Sequence, residues 1–369
     1  MNPTAKNPNM TRRSGPGMLA RIAAPLLKPW LRLLRRSTPS DPQTLTVFQS
    51  YMVGDLFMAL PALKSLAGAF DVRVVCRPDC VEILRDEGLE GIPFDNAFFV
   101  RPGFSSFFKT LRNSWNLRKR IGTLALDFDA DPRTAFWMKI AGTATMISYS
   151  RPYAVFFDDL FSIPGDVMHQ ADKNNAVASE FLARFRKSTN LKPAAARSSA
   201  SPVPIPPPDA PWILSCRTRK DVKNWPLDRW DDFVGRMLEA GIPFRILKDP
   251  DGDAEFQAFH SRWIDRVPFM EGSLHEVSQA IRRAEGVVAT DNFVGHAAAH
   301  YGRPVLWING SSDPRQVSPR GPGTRIVQVD PMNCRPCNHH CVNPEYKACL
   351  LKLEPNAVWQ TFAELRGRN

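Results

Sequence analysis

Residues 1–40 contain eight Lys and Arg and not one Asp or Glu. The formal net charge of +11 therefore sits mainly in a basic leader, and the remainder is close to neutral. A folded polyanion-binding domain is not expected, and no nucleic-acid partner is implied. Within Met18–Arg36 the apolar runs fall far short of the ~20 residues a bilayer span requires. Pro25 and Pro29 are expected to interrupt any helix there. The stretch also lacks the continuous apolar core and small-residue cleavage site of a secretory signal, so a cytosolic protein is expected. Two readings of the leader stay open: a weak hold on an anionic inner leaflet through Trp30 and the arginines, or a disordered basic tail. The seven cysteines are odd in number, which argues against a disulfide framework in such a compartment. No 20–50-residue repeat is present, which excludes a solenoid.

What is present reads as two folded halves. A length of 369 residues with 43% apolar and 23% charged content suits two globular domains. Short apolar runs alternate with helical periodicity from Leu45 to Arg186, and again from Trp212 onward. Strands are expected at Leu45–Gln49, Val72–Cys76, Ala97–Val100, Thr123–Asp127 and Thr145–Tyr149. In the second half they are expected at Trp212–Ser215, Pro243–Leu247, Arg266–Met270, Gly286–Thr290 and Pro304–Ile308. A helix is expected from about Asp55 with Gly54 supplying the turn, and a terminal one over Leu353–Leu365. Residues 187–211 carry too much Pro, Ala and Ser for a core. The organisation is thus a flexible tail at 1–41, a Rossmann-like domain at 42–186, a linker at 187–211 and a second Rossmann-like domain at 212–369. This is an α/β fold of two doubly wound sheets facing across a cleft.

Four stretches could carry chemistry. Asp55 lies at a strand-to-helix turn, where it serves either as an N-cap or as a general base for an incoming hydroxyl. After the first strand of the second half, Arg217, Lys220 and Lys223 are either solvated loop charges or counter-charges for a diphosphate, with Thr218 as a hydrogen-bond donor. Asp291-Asn-Phe-Val-Gly-His296 comes directly after a buried strand and opens a helix. It is either a cap with a core histidine or a phosphate grip built from helix-end N–H groups and His296, needing no divalent metal. Asp127-Phe-Asp129 has a spacing by which some sugar-transferring enzymes hold a metal. Cys334, Cys337, Cys341 and Cys349, with His339 and His340 among them, offer zinc ligands or free, redox-active thiols.

The ordered motifs Val53-Gly-Asp55, Leu60-Pro-Ala-Leu63, Leu124-Ala-Leu-Asp127, His169-Gln-Ala-Asp172 and Lys223-Asn-Trp-Pro226 continue with Asp291, His296-Ala-Ala-Ala-His300, Gly302-Arg-Pro304, Ser312-Asp-Pro314 and Cys334-Arg-Pro-Cys337. Together they resemble glycosyltransferase family 9, the ADP-heptose:lipopolysaccharide heptosyltransferases, over nearly all of residues 44–360. The resemblance implies a GT-B type, inverting, metal-independent transferase without a cofactor. Asp55 would be the base in an acceptor domain, and the second domain would bind the nucleotide sugar through Lys223, Asp291, the backbone amides after it and His296. Closure across the linker would join the two. The implied partners are a nucleotide-diphosphate sugar, ADP-heptose by analogy, and a lipid-linked glycan at the inner face of the cytoplasmic membrane. The chain departs from the family at Asn292-Phe293, where Thr-Gly is usual, at Lys248-Asp249 for Gly-Gly, and at Gly310-Ser-Ser312. Phe293 in the donor pocket leaves open a different nucleotide sugar, or a member that binds sugar without transferring it.

Overall fold

The computed structural model describes residues 26–34, 43–49, 52–95, 103–128, 130–150, 156–186, 202–249, 251–337 and 340–367. The strand expected at Ala97–Val100, Asp129, His339 and most of the tail and linker lie outside these residues. By proximity the described residues form two compact units. Ala59–Val167 belongs to the first, whereas Met52–Met58 and Met168–Ala171 group with the second, which otherwise begins within the stretch 187–211 expected as linker.

The first sheet holds β1 (Thr44–Gln49), β2 (Asp71–Cys76), β3 (Glu90–Pro93), β4 (Leu124–Asp127), β5 (Thr145–Tyr149) and β6 (Asp159–Phe161). The second holds β7 (Trp212–Ser215), β8 (Phe244–Leu247), β9 (Phe269–Met270), β10 (Val287–Thr290), β11 (Val305–Ile308) and β12 (Thr324–Val327). Their spatial orders are β3-β2-β1-β4-β5-β6 and β12-β11-β10-β7-β8-β9. Renumbered from their own first strands, both are 3-2-1-4-5-6, the order of doubly wound dinucleotide-binding sheets. The pairings around the two centres are parallel. The order in which strands are added therefore reverses between β1 and β4, and between β7 and β10. Ligands of such sheets sit beyond the strand C-termini at that reversal.

The central strands VVAT, VLWI and WILS are buried at every position, as parallel strands covered on both faces must be. The edge strands β3, β6 and β12 are half-exposed. They lack the continuous apolar run by which a buried strand is recognised, so none of the three is among the strands expected from the sequence. Only the last two residues of the stretch Arg266–Met270 pair, as β9.

The helices, in chain order, are α1 (26–33), α2 (Val53–Ala67), α3 (Val81–Asp86), α4 (Phe104–Leu117), α5 (Pro132–Ile140), α6 (Gln170–Arg186), α7 (Leu227–Glu239), α8 (Ala254–Trp263), α9 (Leu274–Arg283), α10 (Phe293–His300), α11 (Pro314–Val317), α12 (Ala348–Leu351) and α13 (Pro355–Arg366). Two expectations fail here. Pro29 does not break α1, since residues 26–33 are helical on both sides of it. Gly54 lies inside α2 and not in a turn before it; its small size serves a close approach to a histidine ring of the second unit.

The terminal helix α13 closes the core of the second unit. Val358, Phe362 and Leu365 are buried with Trp212, Trp230 and Phe233. The Phe362 ring lies 4.8 Å from Trp212 at 76° and 5.4 Å from Phe233 at 76°, the edge-to-face geometry aromatic rings favour. Phe362→Ala should cost about 3–5 kcal/mol, read as a lowered urea midpoint. A loss below about 1 kcal/mol would detach the helix from that core.

Candidate functional site

Where β7 and β10 part, one side chain ties their two loops together. Asn292 is the N-cap of α10, its Oδ1 accepting from Val294 N at 3.0 Å. Its Nδ2 donates to Ser215 Oγ at 2.8 Å and to Arg217 O at 3.2 Å, at and just beyond the end of β7. An amide can do this because it accepts with one end and donates with the other. Asn292, and not Asp291, is therefore the cap, and Asp291 is released for other work.

The Asp291 carboxylate is 6% exposed and pairs with Lys223 Nζ at 2.8 Å. Ser312 Oγ donates to the same carboxylate. Lys223 is held in place by its two C-terminal neighbours. Asn224 is buried and bridges back to Thr218, accepting from its N at 2.8 Å and donating to its O at 3.0 Å. Trp225 is fully buried and donates Nε1–H to Leu353 O at 2.9 Å. Ser312 is positioned by Asn309, whose Nδ2 donates to Ser312 O at 3.0 Å. A Cβ on Gly310 would lie 2.7 Å from Leu350 Cγ, so that loop packs with no room for a side chain.

His296, one turn into α10, is buried. Burial pushes its imidazole down from the ordinary 6.5 to about 4; nearby Asp291 pulls the other way, while His169 and Lys223 add to the depression. At neutral pH it is an uncharged hydrogen-bonding ring. His169 sits beside it electrostatically, with Nε2 2.9 Å from Ser318 O and Nδ1 accepting from Ala171 N at 3.2 Å. Those two partners place the His169 proton on Nε2.

The segment Met52–Met58 belongs to this same unit. A Cβ on Gly54 would stand 3.1 Å from His296 Cδ2, so the histidine ring occupies the space any larger residue would need. One turn on, the Phe57 ring lies 5.8 Å from His300 and 5.9 Å from Tyr301. The first turns of α2 thus rest along α10, and Asp55, half-buried in the first turn of α2, comes directly after Gly54.

Of the residues singled out from the sequence, Lys223, Asp291, Asn292 and His296 come together, with Asp55 on the adjoining helix turn. Phe293 opens α10 and is half-buried. Thr218 contributes its backbone to the loop closure with Asn224. Arg217 is not available as a counter-charge, because its guanidinium is committed to Asp253 and to Glu255 at 3.1 Å. Ser312, Ser215 and His169 have partners here that no residue-level reading assigned. For Ser312 and His169 the one signal was their place in ordered motifs.

The described residues of the two metal candidates have other partners. Asp127 is fully buried, and its Oδ1 accepts from Ala130 N to hold the turn after β4. None of the seven cysteines is in a disulfide. Cys341 Sγ accepts from Lys347 N at 3.2 Å and Cys334 Sγ from Asn343 Nδ2 at 3.5 Å. Burial, then the neighbouring Cys334, pushes the Cys337 thiol up to about 11. Among the described residues no group of three or more His, Cys, Asp or Glu is arranged to hold a metal ion.

A family profile described as glycosyltransferase family 9 (heptosyltransferase) matches residues 124–347. Lipopolysaccharide heptosyltransferase 1 of Escherichia coli is 25% identical over 139 residues, 37% of this chain; the match spans 41% of the length of that relative. Solved structures with the same fold include the E. coli ADP-heptose lps heptosyltransferase II, with a TM-score of 0.66 and 14% identity, over 87% of this chain and 98% of that one. An E. coli heptosyltransferase with ADP-2-deoxy-2-fluoro heptose has a TM-score of 0.65 and 17% identity, over 87% and 99%.

Two measurements check the electrostatics. The folded imidazole of His296 takes a proton only near pH 4, whereas in the unfolded chain it does so near 6.5. Its contribution to stability is complete above 6.5 and is lost as pH falls through that window, on the order of 3 kcal/mol. His296→Gln should flatten the urea midpoint against pH between 6.5 and 4; an unchanged slope would mean the ring is not buried as described. Lys223→Ala should cost about 3–5 kcal/mol by stranding a buried carboxylate, and adding Asp291→Asn should recover most of it. If the double variant is no more stable than the single one, the pair is not the reason.

Proposed function

We propose that this chain, which belongs to glycosyltransferase family 9, moves a heptose or related sugar from an ADP-sugar to a hydroxyl of a lipopolysaccharide-core or similar cell-surface glycan. The observation that carries the reading is the convergence of Lys223, Asp291, Ser312 and His296 at the β7/β10 reversal, beside the helix turn that bears Asp55. Solved structures of this fold are described as bound to ADP or to an ADP-heptose analogue, which supports the choice of donor.

The chemistry is a single displacement with inversion. The acceptor oxygen forms a bond to the anomeric carbon as the bond from that carbon to the diphosphate breaks. The hydroxyl proton passes to the Asp55 carboxylate, and the electron pair leaves with ADP. Such a step needs a positioned nucleophile, a base and stabilisation of the departing charge. The second unit supplies the stabilisation, with Lys223 turning from Asp291 toward the diphosphate and the N–H groups opening α10 completing the grip. Thr218 and Phe293 border the donor. His296 begins neutral and gives a hydrogen bond, and the approaching anion raises its affinity for a proton.

Asp55→Asn should lower turnover by about 10²–10⁴-fold, the usual contribution of a general base, with ADP affinity unchanged by calorimetry. Wild-type turnover would remove Asp55 from the role. ADP binding near pH 5.5 should take up a fraction of a proton, seen as a buffer-dependent binding enthalpy that His296→Gln abolishes. Among nucleotide sugars, ADP-heptose should give the largest rise in melting temperature. A larger shift with a UDP- or GDP-sugar would redirect the donor, and binding without product would indicate a non-transferring member.

A further inference from the structure

Two neighbouring helices of the first unit present aromatic and aliphatic side chains to solvent. On α1, Leu26, Trp30 and Leu33 recur at i, i+4 and i+7, so they share one face; Trp30 is 71% and Leu33 76% exposed. On α4, Phe104, Phe108 and Trp115 fall within about 40° of one another at 100° per residue. Phe104 is 83% and Trp115 55% exposed. The opposite faces anchor the helices, since Leu31 of α1 is buried in one apolar cluster with Leu117 of α4 and Ile121. Arg118 joins their ends. Its guanidinium lies 4.6 Å over the Trp115 ring and donates to Leu34 O at 2.9 Å. The exposed rings are therefore held on a rigid surface.

The charge carried by these two helices has one sign. Residues 104–120 include five Lys and Arg and no acid, and α1 adds Lys28 and Arg32, both exposed. Lys109 pairs with Asp95 at 2.6 Å, while Arg112 lies beside the aromatic stripe and Lys119 is exposed just past the end of α4. Protein-binding surfaces are depleted in Lys and place charge at a rim. Tryptophan, phenylalanine and leucine interleaved with Lys and Arg are what an anionic bilayer interface recruits. No described helix is long and apolar enough to cross one; α4, at 1.5 Å per residue, is about 21 Å long, against ~30 Å of hydrocarbon.

We propose that α1 and the outer face of α4 form one docking surface for an anionic lipid bilayer. Leu26, Trp30, Leu33, Phe104, Phe108 and Trp115 enter the headgroup–acyl boundary, and the adjacent Lys and Arg meet lipid phosphates. The contact is thereby built into the folded unit as well as into the basic leader. It does not depend on the donor-site reading, so the two fail separately.

The test is flotation of the full chain with phosphatidylcholine vesicles, with and without phosphatidylglycerol. The chain should float with anionic vesicles and not with neutral ones, and added salt should release it as the Debye length falls below about 10 Å. Replacing Phe104, Phe108 and Trp115 together by serine should lower partitioning about 10-fold or more, with ADP affinity and melting temperature unchanged. Arg112→Glu with Lys119→Glu should do the same at low salt, a second route should the aromatic variant melt early. Undiminished flotation in both variants would place all binding in the leader and overturn the proposal. So would equal binding to neutral vesicles, equal binding to duplex DNA that the aromatic variant retains, or a self-associated species that the aromatic variant dissociates while no vesicle binds.

Discussion

A carboxylate as buried as Asp291 costs several kcal/mol to desolvate unless a cation and further hydrogen bonds stand beside it. Lys223 and Ser312 meet that cost, and much of the second unit is arranged to bring them there. Lys223 comes from the loop after β7, Asp291 from the end of β10 and Ser312 from beyond β11. The three loops are adjacent only because the strand order reverses between β7 and β10. Each is then fixed by interior packing remote from the charges: Trp225 against Leu353, Gly310 against Leu350 and Asn292 against Ser215. The site is where three independently packed loops end.

This arrangement changes how an anion would be recognised. A row of cations in the loop after β7 suggests simple neutralisation of a diphosphate, yet Arg217 is bound to Asp253 and Glu255 and Lys223 to Asp291. His296 is neutral because burial outweighs the attraction of Asp291. Selectivity would then come from exchange. Under the proposed function a doubly charged diphosphate would compete with one carboxylate for Lys223, and a singly charged anion would gain less from displacing it. A pocket already balanced in charge also avoids holding stray anions, which an unpaired lysine cluster would do.

The sequence discloses the buried interior of the fold well, because a parallel strand covered on both faces has to be apolar throughout. VVAT, VLWI and WILS could be recognised for that reason. Edge strands carry no such requirement, so β3, β6 and β12 were invisible, and β9 shrank to two residues. At the site, Lys223, Asp291 and His296 were legible from charge and position, and the ordered motifs placed them in one family. Their mutual geometry was not, since Asp291 reads as a cap until Asn292 is seen to occupy that place. Gly54 reads as a turn residue until the His296 ring is found where its side chain would be. These are facts about space between distant segments, and local periodicity does not report them.

Pro29 shows the same limit from the opposite side. Proline disfavours a helix by deleting an i to i−4 bond and by clashing with the preceding turn, yet residues 26–33 stay helical across it. Once α1 forms, its amphipathic pattern acquires a direction: Leu31 turns into the core with Leu117, and Leu26, Trp30 and Leu33 are left facing out. The net charge then divides into two kinds. In the loops of the second unit, Arg217, Lys223 and Lys347 answer carboxylates of the same unit. On α1 and α4 there is no acidic residue, and of their cations Lys109 pairs with Asp95 while Lys28, Arg32 and Arg112 are exposed. Basic charge that the fold does not use internally, set among exposed aromatic rings on packed helices, is the part of the +11 that is left to act on something outside the chain.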